Sequence, residues 1–300
     1  MDNSKMKWIY LGLLSLVWGS SFILIKKGLV GLTALQVGSL RVVFATLFLL
    51  VIGLKSLKQV KRHQWKWLAV SGFFGTFFPA YLFAFAETEI DSAIVSILNS
   101  TTPLLAMILG ILIFQASFVK RKFIGVIVGL IGTTALILGG AVVNPEQNYW
   151  YSLLVILASL FYGFNANIIK RELQTIPALA ITTGNFMMIS VPALLVLAYT
   201  GFFSSEVLNT PELPLSLFFI AILGIVGTGA ALILFNKLIQ ISDPVFSTSV
   251  TYLVPLVAVG WGILDGEGFT VFQLFSGLII ILGVIIVNRT KSNGEIKNRP

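Results

Sequence analysis

Apolar residues run along this chain in long blocks without polar alternation. Ten blocks stand out, at residues 8–26, 33–53, 66–86, 91–114, 121–139, 150–169, 177–199, 214–237, 244–264 and 269–288. Each approaches the roughly 20 residues that cross hydrocarbon. Backbone groups in lipid have no water partner, so each block predicts a helix. A membrane β-barrel would alternate apolar and polar positions, whereas Leu278 to Val287 is apolar at every step. The first block follows a short basic segment ending at Lys7 and lacks a small-residue cleavage site, so it reads as a span and not as a cleaved signal.

Composition agrees. Of 300 residues, 57% are hydrophobic and 11% charged, against about 45–50% and about 25% in soluble domains. The mean hydropathy is +0.96. Ten spans leave short loops and no room for a soluble domain. The chain has no cysteine, which excludes disulfides, thiolate metal sites and cysteine nucleophiles. Its one histidine, His63, lies in a basic loop, and no H-E-x-x-H sequence occurs. An intramembrane enzyme is therefore a poor fit, and neither a metal nor a cofactor is expected.

The net charge of +8 suggests nucleic acid until the charges are placed. All Lys and Arg residues except Lys26, Lys27 and Arg41 fall in the two tails, or near residues 55–66, 120–122, 170–171 and 237. Glu87, Glu89, Asp91, Glu146, Glu206, Glu212, Asp265 and Glu267 fall on the opposite side. By the positive-inside rule both termini are expected to be cytoplasmic, in a multi-pass protein of the cell (inner) membrane. The basic excess sets topology, and no nucleic-acid partner is expected.

The sequence also repeats. Shifted by 144 residues, Ser15 to Gly19 lies over Ser159 to Gly163, and Ile25-Lys26-Lys27 over Ile169-Lys170-Arg171. At a shift of 152, Gly72, Gly75 and Thr76 match Gly224, Gly227 and Thr228. Leu82, Phe83, Asp91 and Pro103 match Leu234, Phe235, Asp243 and Pro255. The reading is an all-α membrane protein of ten transmembrane helices in two inverted five-helix repeats, residues 1–144 and 145–300. Five is odd, so the second half enters the membrane upside down. Inverted repeats are a transporter design, with the substrate near the midplane between halves. A duplicated polytopic protein that transports nothing is the bland alternative.

The repeat-bearing residues resemble a known family. They are Trp18 to Phe22 in span one, Arg41 in span two, and a Gly-x-x-Gly-Thr start to spans three and eight. Asn99 to Pro103 and Tyr252 to Pro255 with Gly266-Glu267 follow. Over about residues 8–288 the chain resembles EamA-type members of the drug/metabolite transporter superfamily. That resemblance implies ten helices and export of small metabolites, often amino acids. It departs at Phe114-Gln115, where the family has Gly-Glu; local stability, not transport, is expected to depend on that position.

Candidate site residues follow from depth and helical spacing. Ser92, Ser96, Asn99 and Pro103 form one stripe; Ser247, Thr251 and Pro255 form another. Either face a central cavity or tie helices together. Trp18 and Tyr162 are repeat partners near mid-membrane, where a polar tip needs a partner; Tyr81 and Tyr252 are weaker candidates. Asn165 lies toward the inner side of span six. Pro79, Pro103 and Pro255 lie inside spans and are read as hinge or gate positions. Lys170 and Lys237 are expected to snorkel to the headgroups. Arg41 lies roughly 12 Å along span two and costs on the order of 2.5–3.5 kcal/mol to insert. It either pairs with an acid such as Glu87 or Asp265, or meets a substrate carboxylate. No Asp, Glu or His lies near the midplane.

The sequence thus predicts an exporter or facilitator of small metabolites, amino acids or related zwitterions foremost, working by alternating access. The alternative is a flippase for lipids or lipid-linked metabolites; a channel would show steady, unsaturated flux. The partners expected are a small-molecule substrate and the bilayer, with the chain a monomer or weak homodimer.

Overall fold

The computed structural model describes residues 3–89, 95, 98–138, 149–264 and 271–288. Among them there is no strand. Helix α1 comprises Asn3–Gly19 and Ser21–Gly28, and α2 is Ala34–Gly53. Helix α3 runs through Trp65–Gly72, Phe73–Phe77 and Phe78–Ala86. Helix α4 is Thr102–Leu112, α5 Lys120–Leu138, α6 Ser152–Glu172 and α7 Ala178–Tyr199. Helix α8 runs through Leu213–Ile222, Leu223–Ala230 and Ala231–Ile241; α9 is Pro244–Thr248 with Val250–Leu264, and α10 is Val271–Asn288. Among the described residues, six helical stretches are long and apolar enough to cross a membrane: Lys5–Gly28, Ala34–Gln59, Arg62–Ala86, Ser152–Glu172, Ala178–Tyr199 and Leu213–Ile241.

Local chemistry sets several boundaries. Thr33 and Gln36 form a reciprocal capping box that starts α2. Asp243 accepts from the Phe246 N–H and caps α9. The middle pieces of α3 and α8, Phe73–Phe77 and Leu223–Ala230, are π-helical. Both contain the Gly-Thr of the repeated motif, so the two halves carry the same backbone irregularity at the same place. Such bulges cluster at functional sites.

The packing has the symmetry that the sequence repeat predicts. Exchanging α1–α5 with α6–α10 maps one set of contacts onto the other. Helix α1 packs on α8 and α9, while α6 packs on α3 and α4. Helix α2 packs on α8, and α7 on α3. The repeat partners α2 and α7 pack together, as do α5 and α10. The last pair meets at glycines: a Cβ on Gly283 would stand 2.5 Å from the Gly129 nitrogen. Small residues that let backbones approach replace the missing hydrophobic drive in lipid.

One end of the bundle is basic and tied together by polar contacts. Lys122 pairs with Asp243 at 3.0 Å, and Gln64 donates to Thr175 at 3.4 Å. At the other, acidic end the Gly31 N–H donates to Ser216 at 3.1 Å.

Two of the three span prolines singled out from sequence do not sit inside regular α-helix. Helix α4 begins at Thr102 after a turn, so Pro103 occupies its first turn, where a missing N–H costs nothing. Pro79 likewise starts the last piece of α3, just after the π turn. Pro255 is inside α9 and leaves the Thr251 carbonyl without its helical donor. The Ser100 hydroxyl donates to that carbonyl at 3.1 Å. The Thr102 hydroxyl does the same for the Asn99 carbonyl at 2.6 Å. Neighbouring hydroxyls thus satisfy the carbonyls four residues before the two repeat-related prolines.

Helix α4 ends in a turn whose Gln115 has φ 56°, with Phe114 and Ala116 N–H groups both reaching the Gly110 carbonyl. A side chain in this left-handed region is strained, and glycine is not. Gln115→Gly is expected to stabilise the protein by about 1 kcal/mol, read as a raised unfolding midpoint in detergent with the transport rate unchanged.

Candidate functional site

The two π-helical pieces form opposite walls of one cavity between the repeats. It is lined by α1, α2, α3, α4, α6, α8 and α9, and holds about 90 Å³ accessible to the centres of water molecules. At roughly 10–15 Å³ per water, that admits a small metabolite.

The α8 wall is cationic. A π turn shifts the backbone bonds, and the Thr228 hydroxyl donates to the Leu223 carbonyl five residues back at 2.9 Å. With that proton committed, the Thr228 oxygen accepts from Arg41 Nε at 2.7 Å. Nε is held, and the two terminal guanidinium nitrogens have no hydrogen bond among the described residues. No described carboxylate forms an ion pair with Arg41. The neighbouring Gly227 carbonyl accepts from Trp18 Nε1 at 3.0 Å.

The α3 wall is amidic. Ser71 donates to Asn165 Oδ1 at 2.6 Å, and the Asn185 amide meets the same hydroxyl at 2.9 Å. Gly75 is required here because a Cβ would collide with the Asn165 amide. Its repeat partner Gly227 faces Ser21, the repeat partner of Asn165, in the same way. Asn185 is the partner of Arg41 at the shift of 144. The halves are therefore alike in shape and unlike in charge.

Two aromatic pairs complete the walls. Trp18 meets Phe235 edge to face with centroids 5.1 Å apart. Tyr162 stacks on Phe83 at 5.8 Å. Trp18 and Tyr162 are repeat partners, and so are Phe235 and Phe83, so the pairs are one device used twice.

Comparison with known proteins accounts for both halves. The EamA-like transporter family matches residues 6–138 and again residues 149–289. The chain belongs to the EamA-like transporter family. It is a multi-pass membrane transporter of the drug/metabolite type. It is 26% identical over 285 residues to the uncharacterized inner membrane transporter YedA of Escherichia coli (strain K12), covering 93% of this chain and 89% of that one. It is 25% identical over 280 residues to the uncharacterized transporter YdfC of Bacillus subtilis (strain 168), covering 89% and 86%. A solved crystal structure superposes with a TM-score of 0.72 at 15% identity, over 95% of this chain and 96% of that one; it shows the fold alone.

In this EamA-like chain, six residues singled out from sequence meet at the cavity: Trp18, Arg41, Asn99, Tyr162, Asn165 and Thr251. Asn99 holds its side chain against Thr102 at 3.2 Å. Tyr81 does not line it; its hydroxyl bonds Ser39 at 2.9 Å between α3 and α2. Tyr252 does not either; its hydroxyl donates to the Val126 carbonyl at 3.1 Å, and its ring fills the space over Gly129. Ser96 and Ser92 lie outside the described residues, as do Asp265 and Glu267. Thr251 lines the cavity, whereas Ser247 bonds Ser242 at 2.8 Å near the basic end. Lys237 is exposed, but Lys170 does not snorkel: its ammonium is taken up by three backbone carbonyls.

Phe83, Phe235, Thr76, Thr228 and Ser21 also line the cavity, and reading polar stripes missed them. The repeat itself held the signal for four of them, since Phe83 with Phe235 and Thr76 with Thr228 are matched at one fixed shift.

Proposed function

We propose that this EamA-like transporter carries a small carboxylate-bearing metabolite, an amino acid or related zwitterion, across the inner membrane as an exporter or facilitator. It does so by alternating access between halves divided near residues 144 and 145. The observation that carries this reading is Arg41. Its Nε is fixed on Thr228, and among the described residues its remaining donors are uncommitted and no acidic side chain lines the cavity with it. A guanidinium held by one edge presents two parallel donors to a carboxylate. The Trp18–Phe235 and Tyr162–Phe83 pairs supply apolar surface on either side, as small-molecule sites do around a few placed polar groups. Pro103 and Pro255, with the turns beside them, act as the hinges, and Pro79 acts with the α3 π turn.

The test is flux into proteoliposomes of purified protein against a panel of amino acids, with and without a pH gradient. Saturable flux down the substrate gradient is expected, unchanged within about twofold by the pH gradient, because among the described residues no cavity-lining side chain is a carboxylate or histidine that would carry a proton. Uphill movement driven by protons would refute this coupling. Scrambling of labelled lipid in place of amino-acid flux would favour the flippase.

Both termini and residues 55–63 are assigned to the cytoplasm by charge. A single Lys58→Cys substitution in this cysteine-free chain should resist an impermeant maleimide in intact cells and react in inverted vesicles. Labelling from outside would reverse the orientation.

A further inference from the structure

The basic end of the bundle is closed by one lysine. Lys170, at the end of α6, donates to the carbonyls of Ile239 at 3.2 Å, Gln240 at 3.3 Å and Ser242 at 2.5 Å. All three ammonium protons are used, on the last turn of α8 and the start of the link to α9. A cation at a helix C-terminus is further favoured by the exposed carbonyls and the helix dipole. The contact pins α6 to the α8–α9 hairpin, one turn beyond Phe235. Asp243 in the same link pairs with Lys122 at 3.0 Å. The carbonyl of Gln240 also accepts from Gln174 at 3.0 Å.

The repeat places the same parts at the opposite end. Lys26 is the partner of Lys170, Glu87 of Ile239 and Thr88 of Gln240. Lys26 ends α1 as Lys170 ends α6, and Glu87 and Thr88 follow the last turn of α3 as Ile239 and Gln240 end α8. Yet Lys26 is exposed and forms no hydrogen bond or ion pair among the described residues. One latch is engaged and its twin is not.

We propose that Lys170 and Lys26 are alternate latches of the transport cycle, and that the structure is the state with the basic end shut. This rests on the alternating-access reading above. In the opposite state Lys170 leaves the α8 carbonyls and Lys26 takes up the carbonyls at the end of α3, Glu87 and Thr88, closing the acidic end behind Phe83. The twins are unequal. The repeat partner of Lys122 is Leu274, so the acidic-end latch has no ion pair of that kind to support it. The state with the basic end shut is therefore the resting one.

The cysteine-free chain allows a direct test. Two single reporters line the cavity: Thr248→Cys toward the basic end and Ile25→Cys toward the acidic end. Each is labelled with an impermeant maleimide applied from one face of the vesicle at a time. With both lysines intact, the Ile25→Cys reporter should react from the acidic face and the Thr248→Cys reporter should resist from the basic face. Lys170→Ala should raise Thr248→Cys labelling about tenfold, the order of one lost charge-assisted hydrogen bond, and lower that of Ile25→Cys. Lys26→Ala should leave Thr248→Cys protected and Ile25→Cys reactive, and Lys170→Arg should restore protection. Should Lys170→Ala not fold, Lys170→Gln, which keeps donors and loses the charge, should give the same direction. Two reporters that respond in opposition to substrate but ignore both lysines would overturn the latch and spare alternating access. Both reporters reacting freely from both faces would overturn alternating access, and the latch with it.

Discussion

Arg41→Lys is expected to raise the apparent KM for carboxylate-bearing substrates at least tenfold, with kcat changed less and the protein still folded. Lysine keeps the charge but loses the planar fork. It would have to choose between Thr228 and the substrate, whereas Arg41 serves Thr228 with Nε and keeps its other nitrogens for the cavity. One charge-assisted hydrogen bond is worth about 1.5–3 kcal/mol, which is roughly one to two decades in affinity. Arg41→Gln should do more harm to acids and little to neutral analogues. The rival reading, a structural ion pair, predicts a nearly neutral Arg41→Lys. It also needs an acid paired with the guanidinium, and no described carboxylate forms an ion pair with Arg41. Flux kinetics together with a melting curve separate the two.

Trp18→Ala is the second large effect. The indole contributes to the cavity wall, meets Phe235 at 5.1 Å and ties α1 to the π turn of α8 through Gly227. Aromatic anchors carry more than their share of binding energy, and edge-to-face pairs add about 0.5–1.5 kcal/mol to burial. We expect the apparent KM to rise about tenfold or more, and Trp18→Phe, which keeps the ring and loses the N–H, to fall between. Asn99→Ala should raise KM less, since its side chain is already engaged by Thr102 at 3.2 Å. Transport by Trp18→Ala at the parental KM would remove the indole from the site.

The ten helices and their pairing into repeats were legible because hydropathy and fixed-shift matches register them directly. The Gly-Thr matches pointed to the π turns without revealing them, since hydropathy does not report a backbone bond that skips one residue. The partner of Arg41 was illegible for a related reason. Thr228 is 187 residues away, and helical spacing gives a face, never the facing residue. The repeat set Tyr162 apart in sequence, but Tyr81 and Tyr252 stood beside it as weaker candidates. Only packing shows that Ser39 and the Val126 carbonyl satisfy two of these hydroxyls away from the cavity. Phe83 and Phe235 were visible as a match, but apolar residues in apolar spans draw no notice. The start of α4 at Thr102 was hidden because the polar run Asn99 to Thr102 sits inside a block, residues 91–114, that is long enough to be read as one span. Lys170 was misread because its acceptors are backbone carbonyls, which every sequence has.

The central claim is that a carboxylate is recognised by Arg41 inside the cavity between the repeats. The most direct measurement is proteoliposome flux of an amino acid beside its uncharged-carboxyl amide, in the parent and in Arg41→Gln. Saturable flux of the acid is expected, with a preference over the amide of at least tenfold in kcat/KM, and with loss of that preference in Arg41→Gln while amide flux persists. Equal flux of acid and amide in the parent, or a preference untouched by Arg41→Gln, would contradict it.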